Sequence, residues 1–197
     1  SGMMAGQWFG GFAAQTLGWR AAFMVLSGLF LLAAVVLHRN VRAQYHGLGA
    51  GAAPAVSLPT YFRNTWRLLR LPRVRWVLSV TVLEGALAYG TLAFIPSRLV
   101  NAFGFSMAGA GGVMILYGLG GLFYSQMAKR WLALLGEKGL ALAGGALIAC
   151  GLLVLAWATQ PWLAAGSCFF AGLGFYMLHN TLQTQATQMA PESRGTA

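Results

Sequence analysis

Six apolar runs, at 1 to 17, 20 to 37, 75 to 97, 107 to 128, 139 to 158 and 162 to 188, occupy most of this chain, and nearly all of its charge falls between them. Crossing about 30 Å of hydrocarbon takes roughly 20 residues of helix, so runs of this length read as membrane spans. Only 8% of the 197 residues are charged and 58% are hydrophobic, against roughly 25% charged in soluble domains. The fold class expected is all-α, a polytopic membrane helix bundle of about six transmembrane helices, the first of them incomplete. The runs are rich in Gly and Ala as well as Leu and Val, which suits helices that approach closely in lipid.

A net charge of +10 in a soluble protein would suggest nucleic acid, but here the basic residues sit in short segments between apolar runs. They read as topology, and no nucleic-acid partner is expected. Taking the ends of alternate runs, eleven of the thirteen Lys and Arg residues collect on one side and only Arg20 and Arg98 on the other. That asymmetry assigns the first side to the cytoplasm. The protein is then a multi-pass protein of the cell inner membrane, with loops 38–74, 129–138 and 190–197 cytoplasmic. Cys150 and Cys168 lie deep in apolar runs, where packing is the ordinary role and neither a disulfide nor a metal site is implied.

The long loop opens with a Gly/Ala/Pro stretch, Gly47 to Pro59, and then turns amphipathic. Phe62, Trp66 and Leu69 share a helical face, with Arg63, Arg67 and Arg70 as an adjacent basic stripe. A short helix lying at the membrane surface fits this pattern, and a solvated linker with topology-setting arginines is the alternative.

Two motifs point to a family. At the amino end Gly2, Gly6, Gly10 and Gly11 form a helix-packing face, followed by Gly18-Trp19-Arg20. This resembles the fifth-helix signature of the major facilitator superfamily, except that Gln7 stands where the pattern has Pro. At the carboxyl end, Ala190-Pro191-Glu192-Ser193-Arg194-Gly195-Thr196-Ala197 resembles the connection between that family's tenth and eleventh helices, and Gly172 to Thr184 looks like its tenth helix. The resemblance implies part of a twelve-helix fold. Residues 1–37 would be the last two helices of the N-terminal half, 38–74 the cytoplasmic linker, and 75–197 the first four helices of the C-terminal half with the start of the next loop. The chain would be a fragment running from the fifth helix to the start of the eleventh. The family often has an Asp-Arg pair between helices eight and nine, where this chain reads Ala128-Lys129-Arg130 and then Gly136-Glu137-Lys138; that acidic contact is absent or replaced by Glu137.

Glu84 falls about ten residues into its run, within a few ångströms of the midplane at 1.5 Å per residue. An ionised carboxylate there costs on the order of 3 kcal/mol on insertion scales. Such a group is neutral, paired or facing water, and is either a structural hydrogen-bonding residue or a proton-coupling one. In the last run Tyr176, His179, Asn180, Gln183 and Thr187 recur at three- and four-residue intervals as a polar stripe. In the resembled family the seventh and tenth helices line a central cavity, which makes Glu84 and His179 proton-coupling candidates and Tyr176, Asn180, Gln183 and Tyr89 substrate-cavity candidates. His179 shuttles protons, pairs with Glu84 across the cavity, or is a hydrogen-bonded packing residue. Arg98 is an interfacial anchor or a recruiter of anionic substrate.

The leading function is secondary active transport by alternating access, as proton-coupled efflux of a small hydrophobic or amphipathic molecule. Its partners would be that substrate, protons, the lipid bilayer and the missing helices of the complete transporter. A membrane scaffold or sensor with a transporter-like fold is the alternative, and an intramembrane enzyme a remoter one. No catalytic residue, cofactor or metal is assigned: the chain has no phosphate-binding loop, no His-Glu-x-x-His and no convincing nucleophile.

Overall fold

A computed structural model describes residues 2–47 and 58–188. Six helices follow one another: α1 Gly2–Thr16, α2 Trp19–Gly47, α3 Leu58–Leu69, α4 Pro72–Phe103, α5 Met107–Trp157 and α6 Pro161–Gln188. No strand occurs among the described residues, as hydrocarbon requires of a chain whose backbone groups must be satisfied within each segment. Four of the helices, α2, α4, α5 and α6, are long and apolar enough to cross a membrane.

The fourth and fifth apolar runs fall on the two helical arms of α5, whose 51 residues would extend about 76 Å if straight, more than twice a bilayer core. It reverses instead at Gly136, whose φ of 64° and ψ of 176° lie in a region that only glycine enters cheaply. The segment 129–138, expected as a loop, is helical on both sides of that one residue. Its apolar side chains explain the difference: half-buried Trp131 packs on Phe123 and Tyr124 with ring centroids 5.8 and 6.4 Å apart, and Leu140 is fully buried. Trp131 is thus part of the packed interior, whereas Trp157 and Trp162 are exposed. The loop expected over 38–74 is also partly helix, through Gly47 in α2 and over 58–69 in α3. The motif at 190–197 and most of the Gly/Ala/Pro stretch lie outside the described residues.

Helix ends follow local chemistry. Pro72 opens α4, where its missing N–H is no loss. Gly104, at φ 69°, closes it: the Gly104 N–H donates to Val100 O at 3.1 Å and the Phe105 N–H to Leu99 O at 3.3 Å. Two residues later the Ser106 hydroxyl accepts the Gly109 N–H at 3.0 Å and caps α5.

At the centre stands α6, clasped by both arms of α5. Contacts pair Tyr117 with Gly172 and Gly121 with Tyr176 on the first arm, and Gly144 with Gly174 and Gly151 with Ala171 on the second. Register rises together along the first arm and oppositely along the second, so α5 is a hairpin straddling α6. A side chain at Gly172 would collide with the Tyr117 backbone, and one at Gly120 with the α6 backbone at Phe169 and Leu173. Beside α6 runs α4, antiparallel: Glu84 meets His179 and Arg98 reaches the far end of α5. The Arg98 guanidinium donates to the carbonyls of Leu155 and Ala156, each at 2.9 Å. It thereby satisfies orphaned acceptors at the helix C-terminus, which makes it a fastener between helices. On the outside, α1 packs on the start of α5, where Gly11 abuts Met107 and Gly111 and the Gln15 side-chain oxygen accepts the Ala108 N–H at 2.9 Å. Gly6 and Gly10 make no such approach and border a cleft of about 460 Å³ with Pro96, Ser97 and Asn101. The span of α2 is apolar all round and largely exposed, the pattern of a helix facing lipid.

Two substitutions test this packing. Gly172→Val should destabilise the purified full-length protein by about 1–3 kcal/mol through overpacking, read as a lower thermal midpoint in detergent, while Gly166→Ala, where an added methyl meets nothing within 4 Å, should not. Arg98→Gln should cost about 1.5–3 kcal/mol by removing charge-assisted hydrogen bonds, in the same assay.

Candidate functional site

Glu84 lies twelve residues past Pro72 on α4, about 18 Å along the axis. The α4 face it shares with Val77, Leu92 and Leu99 is buried, and helical periodicity therefore carries the carboxylate inward with its apolar neighbours. Glu84 itself is 7% exposed. Across from it on α6, the His179 ring places Nδ1 at 3.3 Å from both carboxylate oxygens. Oε2 has hydrogen-bond geometry toward the ring, whereas Oε1 is buried and has no hydrogen-bond partner. Among the described residues this is the one ion pair between side chains.

An aromatic cluster orients the imidazole. Phe175, one turn earlier on α6, stacks on His179 with centroids 5.1 Å apart and planes 18° from parallel. Tyr117 tilts against the other side of the cluster, 5.9 Å from Phe175. The imidazole thus lies between the Phe175 ring and the Glu84 carboxylate.

Glu84 opens onto a cavity of about 310 Å³ between α4, α5 and α6. The walls are Leu87, Leu92, Ile148, Leu152, Phe175 and Leu178 among others, with Thr91 and Tyr117 as further polar groups. The Thr91 hydroxyl is committed to the Leu87 carbonyl at 2.6 Å. The site is therefore an apolar chamber with one carboxylate, one oxygen of which is in the ion-pair range of His179 but accepts no hydrogen bond.

The polar stripe of α6 divides between two sides of the helix. His179 turns to Glu84; Tyr176 and Asn180 border a second cavity, of about 490 Å³, together with Tyr124 and Ser125 of α5. The Asn180 amide donates to the Tyr176 carbonyl at 2.8 Å, and Gln183 is exposed. Tyr89, 67% exposed, borders neither cavity. The side chain of Thr187 lies outside the described residues. Near the α5 turn, the Gln185 amide donates to Glu137 Oε2 at 3.3 Å and fastens the end of α6 there. Sequence reasoning missed Tyr117 and Phe175, and noted Thr91 only as following Glu84 on the same helix. Phe175 was findable, since an aromatic four residues before a histidine sits on the same face; Tyr117 reaches the site only through the α5 hairpin.

The model of the Major Facilitator Superfamily matches residues 1–197. An "MFS-type efflux pump" of Mycolicibacterium smegmatis is 36% identical over 112 residues, 56% of this chain and 24% of that protein. A "Probable sugar efflux transporter" of Helicobacter acinonychis is 24% identical over 99% of this chain and 47% of its own length. One of the same name from Pasteurella multocida is 24% identical, over 99% and 46% respectively. The chain thus spans about half the length, or less, of these curated relatives. No solved structure matches it. With membrane-crossing helices, close glycine packing and a family model matched from end to end, the chain belongs to the Major Facilitator Superfamily, as a multi-pass membrane protein.

Proposed function

We propose that this chain is the central part of a secondary active transporter that exports a small hydrophobic or amphipathic molecule in exchange for protons, by alternating access. In this reading α1 and α2 are the last helices of the first half. The span of α4, the two arms of α5, and α6 are then the first four of the second half. The side bearing eleven of the thirteen basic residues faces the cytoplasm.

The observation that carries the reading is the Glu84–His179 pair beside an apolar cavity. With the carboxylate ionised and the imidazole neutral the pair bears a net charge of −1, and uptake of one proton by either member makes it neutral. Between the two states the electrostatic cost of the α4–α6 contact changes, because an uncompensated charge in lipid costs on the order of 3 kcal/mol. A proton can thereby bias which arrangement of the helices prevails, provided the two arrangements differ in access to the pair. An apolar wall suits a substrate with a hydrophobic body, and the unpartnered Oε1 suits a donor group on it or a proton competing for the same place.

The relatives named for sugar efflux favour a second reading of the substrate. A polyhydroxylated molecule would find partners at the Tyr124, Ser125, Tyr176 and Asn180 cavity instead.

Both rest on transport by the full-length protein in proteoliposomes. Glu84→Gln should abolish accumulation driven by an imposed pH gradient while leaving membrane insertion and counterflow of labelled substrate in place; unchanged gradient-driven accumulation in that variant would sink the coupling role. His179→Asn, which keeps a polar group but not a titratable ring, should weaken the same accumulation and flatten its dependence on pH.

A further inference from the structure

Among the helices α3 is unlike the rest: it is too short to span a bilayer and strongly two-sided. Phe62, Trp66 and Leu69 are exposed on one face, Trp66 by 62%. Arg63, Arg67 and Arg70 are exposed along the adjoining face, about 100° away on average at 100° per residue. The Arg70 guanidinium lies 5.9 Å from the centroid of the Trp66 ring, which joins the two faces at their shared edge. The chain then turns within two residues. The Leu71 N–H donates to the Leu68 carbonyl at 3.0 Å, and Pro72 begins α4. Arg73 and Arg75 are exposed on that first turn, beside exposed Trp76.

Charge here is of one sign. The chain's three acidic residues are Glu84, Glu137 and Glu192, so no side-chain carboxylate lies between residues 58 and 75 to neutralise the five arginines there. A cationic edge flanking exposed aromatics, hinged where a membrane helix begins, matches one surface in both depth and charge. Aromatic rings sit at the level of the headgroups, and anionic lipids attract basic side chains near them.

We propose that α3 is a binding site for anionic phospholipid, lying flat on the cytoplasmic leaflet with Phe62, Trp66 and Leu69 in the interface and Arg63, Arg67 and Arg70 on the headgroup phosphates. Arg70 has a double part: its guanidinium lies by the Trp66 ring, and a guanidinium can also donate to a phosphate in pairs. Because only a two-residue corner separates α3 from α4, lipid bound to α3 also restrains the start of the helix that carries Glu84. The proposal requires a membrane-inserted protein but neither proton coupling nor any particular substrate.

The test uses the full-length protein in nanodiscs containing either brominated phosphatidylglycerol or brominated phosphatidylcholine. The emission belonging to Trp66 is read as wild type minus Trp66→Phe. The anionic lipid should quench that emission several times more strongly than the zwitterionic one. The preference should fall to about parity in the triple variant Arg63→Gln, Arg67→Gln, Arg70→Gln, and at 1 M salt, where the screening length is about 3 Å. Absence of quenching by either lipid would mark α3 as a solvated linker and overturn the proposal. Equal quenching by both, or a preference that survives loss of the three arginines, would overturn the anionic site. Gradient-driven transport measured alongside reports on Glu84 separately, so that failure of one reading is distinguishable from failure of the other.

Discussion

Backbone against backbone is the contact on which the rest of this structure depends. In lipid, helices gain little from hiding apolar surface, since the tails are as apolar as leucine, and association rests on dispersion and on how closely two backbones approach. Here α6 meets one arm of α5 at Gly172 and the other at Gly174, against Tyr117 and Gly144. Glycine on both sides of one helix lets two neighbours close on it at once. Two members of the site take their position from that clasp: His179 lies five residues beyond Gly174 on α6, and Tyr117, whose backbone abuts Gly172, borders the Glu84 cavity.

Polar groups in the interior are few: buried Ser167 and Thr181 bond back to carbonyls of their own helix, while other polar side chains join one element to another. Glu84 and His179 join α4 to α6, Arg98 joins α4 to the end of α5, Gln15 joins α1 to the start of α5, and Gln185 joins α6 to the α5 turn. Three of these contacts satisfy backbone or side-chain groups without leaving an obvious remainder. The Glu84 site differs, because a buried carboxylate oxygen stays unsatisfied beside an open cavity. A buried polar atom without a hydrogen bond is a costly arrangement.

Much of this was legible in the sequence, for identifiable reasons. Apolar runs longer than a bilayer is thick leave little freedom in fold class, and the amphipathic period of 58–69 marked α3 because its faces differ so sharply. Glu84 stood out as a carboxylate among apolar residues, and His179 as its partner on a polar stripe. Periodicity could not say which way each member of that stripe turns, since Tyr176, His179 and Asn180 lie within about 100° of arc or so and the choice between two cavities depends on where the α5 arms sit. The hairpin was expected within 129–138, but periodicity could not single out its turn, which comes at Gly136, after the packed ring of Trp131.

Arg98 and Glu84 hold α4 at two heights, fourteen residues apart, and the start of the helix lies twelve residues further along. Distances along the axis are then about 21 Å from fulcrum to carboxylate and about 39 Å from fulcrum to Pro72. With Arg98 seated on the α5 carbonyls, any sideways displacement at Glu84 is magnified nearly twofold where α4 leaves the bilayer. A lever of this shape converts a shift too small to disturb packing at mid-depth into a larger swing at the corner that carries α3.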